Sequence, residues 1–231
     1  MTYFAKYYRH NKTYLSYIDL RLKKIVHLVS KLKPKKVLDL GCGNGLLLAE
    51  LKKIHKADYH GIDVFINSKT FFKYKRADIN IKFPYNRNMF DCVILGEVIE
   101  HVPNPDHVLS EIYRVLKKNG YLIISTPNLV PWANRILILF GIQPLYTETS
   151  SYKKLGRYFT FLGQGTKAHG HLKIFTHQSL KEILELYGFK VKEKYGVPFF
   201  FPFPISLIDR IFAKMIPFSS GLLYVAEKKY V

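Results

Sequence analysis

From Leu15 onward, apolar residues recur at alternating steps of three and four: Leu15, Ile18, Leu22, Ile25, Val29 and Leu32. That spacing predicts a helix with one buried stripe, lysines on its other faces and Pro34 as its stop. The period then changes. "KVLDL" (36–40) is a continuous apolar run of the kind expected for a strand covered on both faces. A helix from about Leu46 to Ile54 follows, then strands at "YHGIDV" (59–64), "KRADI" (75–79) and "FDCVILG" (90–96). Asn104 and Pro105 supply an N-cap and a first-turn proline for a helix running to about Lys118, where "KNG" closes it before the strand "YLIIST". A helix at about 177–187, a strand at about 189–196 and a final strand "GLLYVAEKK" complete the series. Such alternation predicts an α/β fold with a doubly wound, mostly parallel sheet.

Two stretches break the rhythm. Residues 127–170 include "NLVPWANRILILFGIQPLY", and the last two strands are separated by "PFFFPFPISLIDRIFAKMIPF". Both hold more apolar residues than the sheet needs. They read as a lid over an apolar substrate, as interfacial segments, or as segments that simply pack on each other.

Composition narrows this picture in three ways. At 231 residues and 48% hydrophobic, the chain suits one sizeable core. No apolar run approaches the roughly 18 residues of a membrane span, and "MTYFAKYYRHNKTY" lacks the apolar core of a signal peptide. Cys42 and Cys92 have no C-x-x-C partner, so a reducing cytoplasm without a disulfide framework is expected. The net charge of +19 invites nucleic acid or an anionic membrane surface as partner. Arginine, which reads phosphates and bases through two parallel hydrogen bonds, accounts for only 8 of the 36 basic residues. A lysine-rich solvated surface explains the charge equally well. Ten basic residues against Asp19 alone fall within the first 36 positions.

The candidate chemistry begins where the first strand turns into a helix. Gly41, Gly43 and Gly45 free the backbone there for unusual angles and close approach. Ligands of doubly wound sheets bind at this edge. Asp63 closes the second strand, 22 residues after Gly41, where a carboxylate takes both hydroxyls of a ribose. The pair suggests an adenosine-containing cofactor. A dinucleotide wants G-x-G-x-x-G, but here the third glycine comes one position early and Asp39 would repel a pyrophosphate. A positively charged ligand is favoured over NAD.

"VLDLGCGNG", "GIDV", "RADI" and "FDCVILGEVIEHVPNPDHVLSEIYRVLKKNGYLIISTPN" together resemble the class I S-adenosylmethionine-dependent methyltransferases, on the small-molecule branch that includes ubiquinone-biosynthesis O-methyltransferases. The resemblance spans about residues 35–128 and resumes at "GHLKIFTHQSLKEILELYGF". It implies a Rossmann-like seven-stranded sheet with an antiparallel last strand, all in one domain over 1–231. Within it, 1–34 is a basic helical segment, 35–126 the cofactor-binding half, 127–176 an insertion or lid, and 177–231 the C-terminal helix and strands. It implies S-adenosylmethionine as cofactor. Asp39, Gly41, Cys42, Gly43 and Gly45 would meet its methionine part, and Asp63 its ribose. Val64, Asp78 and Ile79 would border the adenine, with Gly96 offering backbone to the amino-acid end.

Methyl transfer from a sulfonium is an in-line displacement with an activated leaving group, so the protein supplies position and, for some acceptors, a base. If Glu97 to His101 form a helical turn, Glu97, Glu100 and His101 share a face, with His101 as base and Glu97 as a catalytic candidate beside it. That face is also an oxygen–oxygen–nitrogen set for a divalent ion, although the expected site contains no metal. His169 and His171 flank Gly170 ahead of a helix, and His171 is the second catalytic candidate. The favoured reading is methylation, at oxygen, of a small and partly apolar molecule in the cytoplasm by a monomer or homodimer. Alternatives are a membrane-surface enzyme with a quinone or lipid acceptor, an RNA methyltransferase, and a non-catalytic S-adenosylmethionine-binding module. Against nucleic acid stands "LGEV" in place of the N-P-P-Y type ending of amino-directed enzymes, and against the non-catalytic module stands the intact cofactor signature.

Overall fold

The computed structural model describes residues 19–65, 72–156, 167–199 and 201–229. Leu15 and Ile18 of the first apolar stripe lie outside them. Helix α1 (Leu20–Leu32) is capped by the Asp19 carboxylate, which accepts from Leu22 N at 2.7 Å. Its end is set by Lys33, whose left-handed backbone stops the helix one residue before Pro34.

The elements that follow are β1 (Lys36–Leu40), α2 (Leu46–Ile54), β2 (Asp58–Asp63), β3 (Lys73–Arg76), β4 (Phe90–Gly96), α3 (Pro105–Val115) and β5 (Leu116–Pro127). Then come α4 (Trp132–Leu139), α5 (His177–Leu186), β6 (Phe189–Val197), α6 (Ile205–Phe212) and β7 (Gly221–Lys228). The described strands form one seven-stranded sheet in the order β3-β2-β1-β4-β5-β7-β6. The first five are parallel, and β7 runs antiparallel to both β5 and β6. This is the doubly wound, Rossmann-like methyltransferase fold that the alternation and the resemblance imply.

Alternate residues along each strand feed two cores. On one face Leu38, Leu40, Val93 and Leu95 pack with Val108 and Ile112 of α3 and Leu180 and Leu184 of α5. On the other, Val37, Cys92 and Ile94 pack with Ile25 and Val29 of α1 and Leu48 and Leu51 of α2. Cys42 and Cys92 are both buried free thiols.

Three boundaries differ from the sequence reading. The third strand is Lys73–Arg76, not 75–79, because the ladder to β2 ends with Arg76 opposite Asp63. Asp78 then turns the chain by accepting from Asn80 N at 2.9 Å. The helix expected to reach Lys118 ends at Val115, since Leu116 is already extended and pairs with Phe90. Its C-terminal carbonyls are taken by a distant residue, Lys228, whose ammonium donates to Tyr113 O and Leu116 O at 2.7 Å each. "KNG" therefore lies inside β5. Finally, Glu97–His101 do not form the expected helical turn. Glu97 is left-handed (φ 55°) and only Ile99–His101 make a 3₁₀ turn, so Glu97, Glu100 and His101 are not stacked on one helical face.

Candidate functional site

Parallel strands bring Asp39, Asp63 and Gly96 to one carboxyl edge of the sheet. Gly41 and Cys42 donate to Ile62 O at 2.8 and 3.1 Å, which ties the glycine turn onto β2. Gly41, Gly43 and Gly45 all have positive φ (71°, 54° and 78°), a region open to glycine at little cost. A methyl group at Gly41 would lie 2.6 Å from Val98, and one at Gly45 would lie 2.4 Å from Phe72. These two glycines are needed by the protein's own packing as well as by any ligand.

Two acids meet under this turn. Asp63 accepts from Gly43 N at 2.8 Å and from Phe65 N at 3.1 Å, while burial pushes its pKa up. Asp39 is 5% exposed, and its pKa is raised to about 8 by burial and by the neighbouring Asp63 charge, with Arg21 opposing. A cation placed beside such an acid, next to the open turn, would favour its ionised form and draw it into a pair. The Cys42 thiol is pushed up by burial and by both aspartates, so it packs as a small apolar group and is not a nucleophile. Asp78 and Ile79 sit half-buried beyond β3, and Val64 half-buried beyond β2.

The second cluster lies past β4. Glu97 accepts from Ser125 Oγ at 2.9 Å and stands 3.9 Å from the Arg21 guanidinium. Burial and the Glu100 charge raise its pKa to about 7. Glu100 is 1% exposed, and burial raises it to about 7 as well. One of its oxygens accepts from Thr126 Oγ1 at 3.0 Å, while Oε1 has no hydrogen-bond partner. The Glu100 backbone carbonyl accepts from Leu172 and Lys173 N–H, which docks the insertion's return onto the site.

That docking brings His171 to His101, ring centroids 4.9 Å apart. His101 Nδ1 faces Gly170 O at 3.1 Å and His171 Nδ1 faces Tyr146 O at 2.7 Å. A carbonyl only accepts, so each Nδ1 carries the proton and each Nε2 keeps a lone pair. Burial lowers His101, and burial together with the His101 charge lowers His171 to about 4. Both imidazoles are neutral at pH 7. The His169–His171 loop is held by Glu148, whose carboxylate accepts all three successive N–H groups at 2.6, 2.7 and 3.2 Å. Burial opposes ionisation of Glu148, but these donors keep it below the usual range. His169 itself lies outward, with its Nε2 3.2 Å from Lys154 Nζ.

The sequence reading missed Arg21 and Glu148. Arg21 is 7% exposed and reaches from α1 to Asp19, Glu97 and Ser125 at the edge of β4 and β5. Asp19, the one acid in a basic segment, was its signal. Glu148 is the lone acid between Asn128 and Thr176, which marks it in the same way. The oxygen–oxygen–nitrogen set of Glu97, Glu100 and His101 is not what the fold assembles. Ligating atoms of Glu100, His101 and His171 lie within 4.8 Å of one another, and Glu97 is not among them. A groove of about 510 Å³ near Asp58 and Lys73 lies at the opposite edge, where β2 begins.

A family described as "Methyltransferase domain" matches residues 14–194. The chain belongs to that family. It is 32% identical over 120 residues to a ubiquinone biosynthesis O-methyltransferase of Photobacterium profundum, covering 47% of this chain and 51% of the relative. It is 31% identical over 152 residues to a protein of the same name from Pseudomonas putida, covering 60% and 65% respectively. The chain thus spans about half to two-thirds of the curated relatives it matches. Among solved structures it shares its fold with the 1,6-didemethyltoxoflavin-N1-methyltransferase of Burkholderia thailandensis, solved with S-adenosylhomocysteine bound. That match has a TM-score of 0.62 at 14% identity and covers 98% of this chain and 85% of the other. No helix of the described residues is long and apolar enough to cross a membrane.

Proposed function

We propose that this protein transfers the methyl group of S-adenosylmethionine to a hydroxyl of a small, partly apolar acceptor. The cofactor would lie across the glycine turn, its cationic methionine part against Asp39 and its ribose against Asp63. Val64, Asp78 and Ile79 would border the adenine and Gly96 the amino-acid end. His101 would take the acceptor's proton through Nε2. His171 would stand across from it as the second catalytic group, while Glu97, held by Ser125 and Arg21, would position the turn and not touch the acceptor. The observation that supports the reading is the meeting of two neutral imidazoles past the end of β4: His101, buried and with Nδ1 on Gly170 O, lies with its ring 4.9 Å from that of His171. The methyl-transfer class rests on family membership, and the named relatives support oxygen as the site.

A calorimetric titration with S-adenosylhomocysteine tests the frame, and transfer from labelled S-adenosylmethionine to a hydroxy-aromatic acceptor tests the chemistry. Binding of the former, no binding of NAD, and labelled ether as product are expected. Labelled amine from amino-aromatic acceptors, with none from hydroxyls, would refute oxygen as the target.

One observation favours a second role for the same cluster. Glu100 Oε1 is buried without a hydrogen-bond partner, and ligating atoms of Glu100, His101 and His171 lie within 4.8 Å of one another. The donor set fits a divalent ion such as zinc. Glu100, His101 and His171 would hold it, and it would acidify an acceptor hydroxyl.

A further inference from the structure

Helix α6 buries its acid and leaves apolar residues outside. Its one acid, Asp209, is fully buried and accepts from the Trp132 indole at 2.8 Å, from Phe199 N at 2.7 Å and from Ser220 Oγ at 2.5 Å. Leu207, Ile208, Ile211 and Met215 meanwhile stand 42–63% exposed. An ordinary surface helix does the opposite. Trp132, at the start of α4, stacks on Phe212 with centroids 5.4 Å apart, so the start of α4 meets the end of α6. Residues of α4 and its end are exposed and apolar as well: Ile136, Ile138, Leu139 (83%) and Phe140 (74%). Single exposed leucines are ordinary, but two adjoining helices that both turn apolar side chains outward are not.

The charges on this surface have one sign. Arg135, Arg210 and Lys214 are exposed among the apolar residues. Between Asn128 and Tyr146, and again between Pro198 and Ala226, Asp209 is the sole acid, and it is buried. A second copy of this chain laid on the face would set cation against cation with no exposed acid from these segments to pair them. An anionic lipid surface meets both features at once, because its headgroups pair the cations and its acyl boundary takes the apolar side chains.

We propose that the outer faces of α4 and α6 are a docking surface for an anionic lipid bilayer. This stands apart from the methyl-transfer reading, since it invokes none of the residues assigned there. The patch is nevertheless wired to the site. Asn134 of α4 donates to Leu145 O and accepts from Leu145 N, and the next residue, Tyr146, provides the carbonyl that orients His171.

The test is flotation of the full chain with vesicles of phosphatidylcholine alone and of phosphatidylcholine with an equal part of phosphatidylglycerol. Binding to the anionic vesicles only, weakened by high salt, is expected. Trp132 is the single tryptophan, so acyl chains brominated near the headgroup should quench its emission in the bound state. The double variant Leu139→Ser, Ile211→Ser alters two exposed positions and no charge, and it should lower partitioning about tenfold or more. Three results would overturn the proposal. One is an absence of flotation. Another is unchanged binding by the double variant, which would mean that cations elsewhere, such as those of residues 1–36, suffice. The last is a concentration-dependent dimer in solution that the double variant dissolves, which would mean that a second copy covers the face.

Discussion

At the β1–β2 end of the carboxyl edge the candidate site is made largely of backbone. Three positive-φ glycines within five residues, two N–H groups hung on Ile62 O and one carboxylate, Asp63, shape it, all from the stretch 41–63. At the β4–β5 end it is made of side chains drawn from across the chain: Arg21 of α1, Glu97 to His101 after β4, Ser125 and Thr126 of β5, and His171 beyond the insertion. The first end is built to receive one shape. The second is a set of acids and bases shifted by burial, in which the insertion docked at Glu100 O supplies the contacts of His101. The two ends are thus built by different means, and substitutions should separate the recognition and reactivity proposed for them.

The largest separation is expected at His101. His101→Ala should slow turnover about 10²–10⁴-fold and leave S-adenosylhomocysteine affinity unchanged, as read by steady-state rates beside calorimetry. The wild-type rate must also fall in acid, because the base works only when neutral. Burial places His101 below its ordinary pKa of 6.5, so activity should hold down to that pH and fall about tenfold per unit below its pKa. A limb above pH 6.5, or one that survives His101→Ala, would assign the titration to another group.

Asp63→Ala should act at the other end, weakening S-adenosylhomocysteine about 100-fold. It removes both the expected ribose contact and the acceptor of Gly43 N–H, and a charge-assisted pair of this kind is worth about 1.5–3 kcal/mol per bond. Equal affinity for the variant would show that the turn holds its shape, and its ligand, without it.

The smallest effect is a fraction of a proton. With its pKa near 8, Asp39 is mostly protonated at pH 7, and a cation placed beside it favours the ionised form. Binding should therefore release protons at pH 7, and affinity should rise with pH until about 8 and then level off. Calorimetry in buffers of different ionisation enthalpy measures the release. Asp39→Asn should abolish it, and proton uptake would reverse the assignment.

Much of the fold was legible because strands buried on both faces must read as apolar runs and amphipathic helices must repeat at three and four. Val37 to Leu40, Cys92 to Leu95 and the α1 stripe from Leu22 to Leu32 carry both signals without help from distant residues. Where a distant partner intervened, the local reading slipped. Lys228 takes the carbonyls at the end of α3, and Leu116 leaves the helix to pair with Phe90, neither of which any window around Lys118 contains.

The site divides in the same way. Glycine at 41, 43 and 45 with aspartate at 39 and 63 is readable in sequence because backbone angles and strand ends are local properties. That His101 and His171 would meet across 70 residues, that Glu97 would turn left-handed toward Arg21 and Ser125, and that Glu148 would hold three successive amides was decided only by tertiary packing. The physical reason is that a side chain's pKa and tautomer are set by what surrounds it in space. For His101 and His171 those surroundings come from the insertion, docked at Glu100 O, and for Glu97 from α1 and β5.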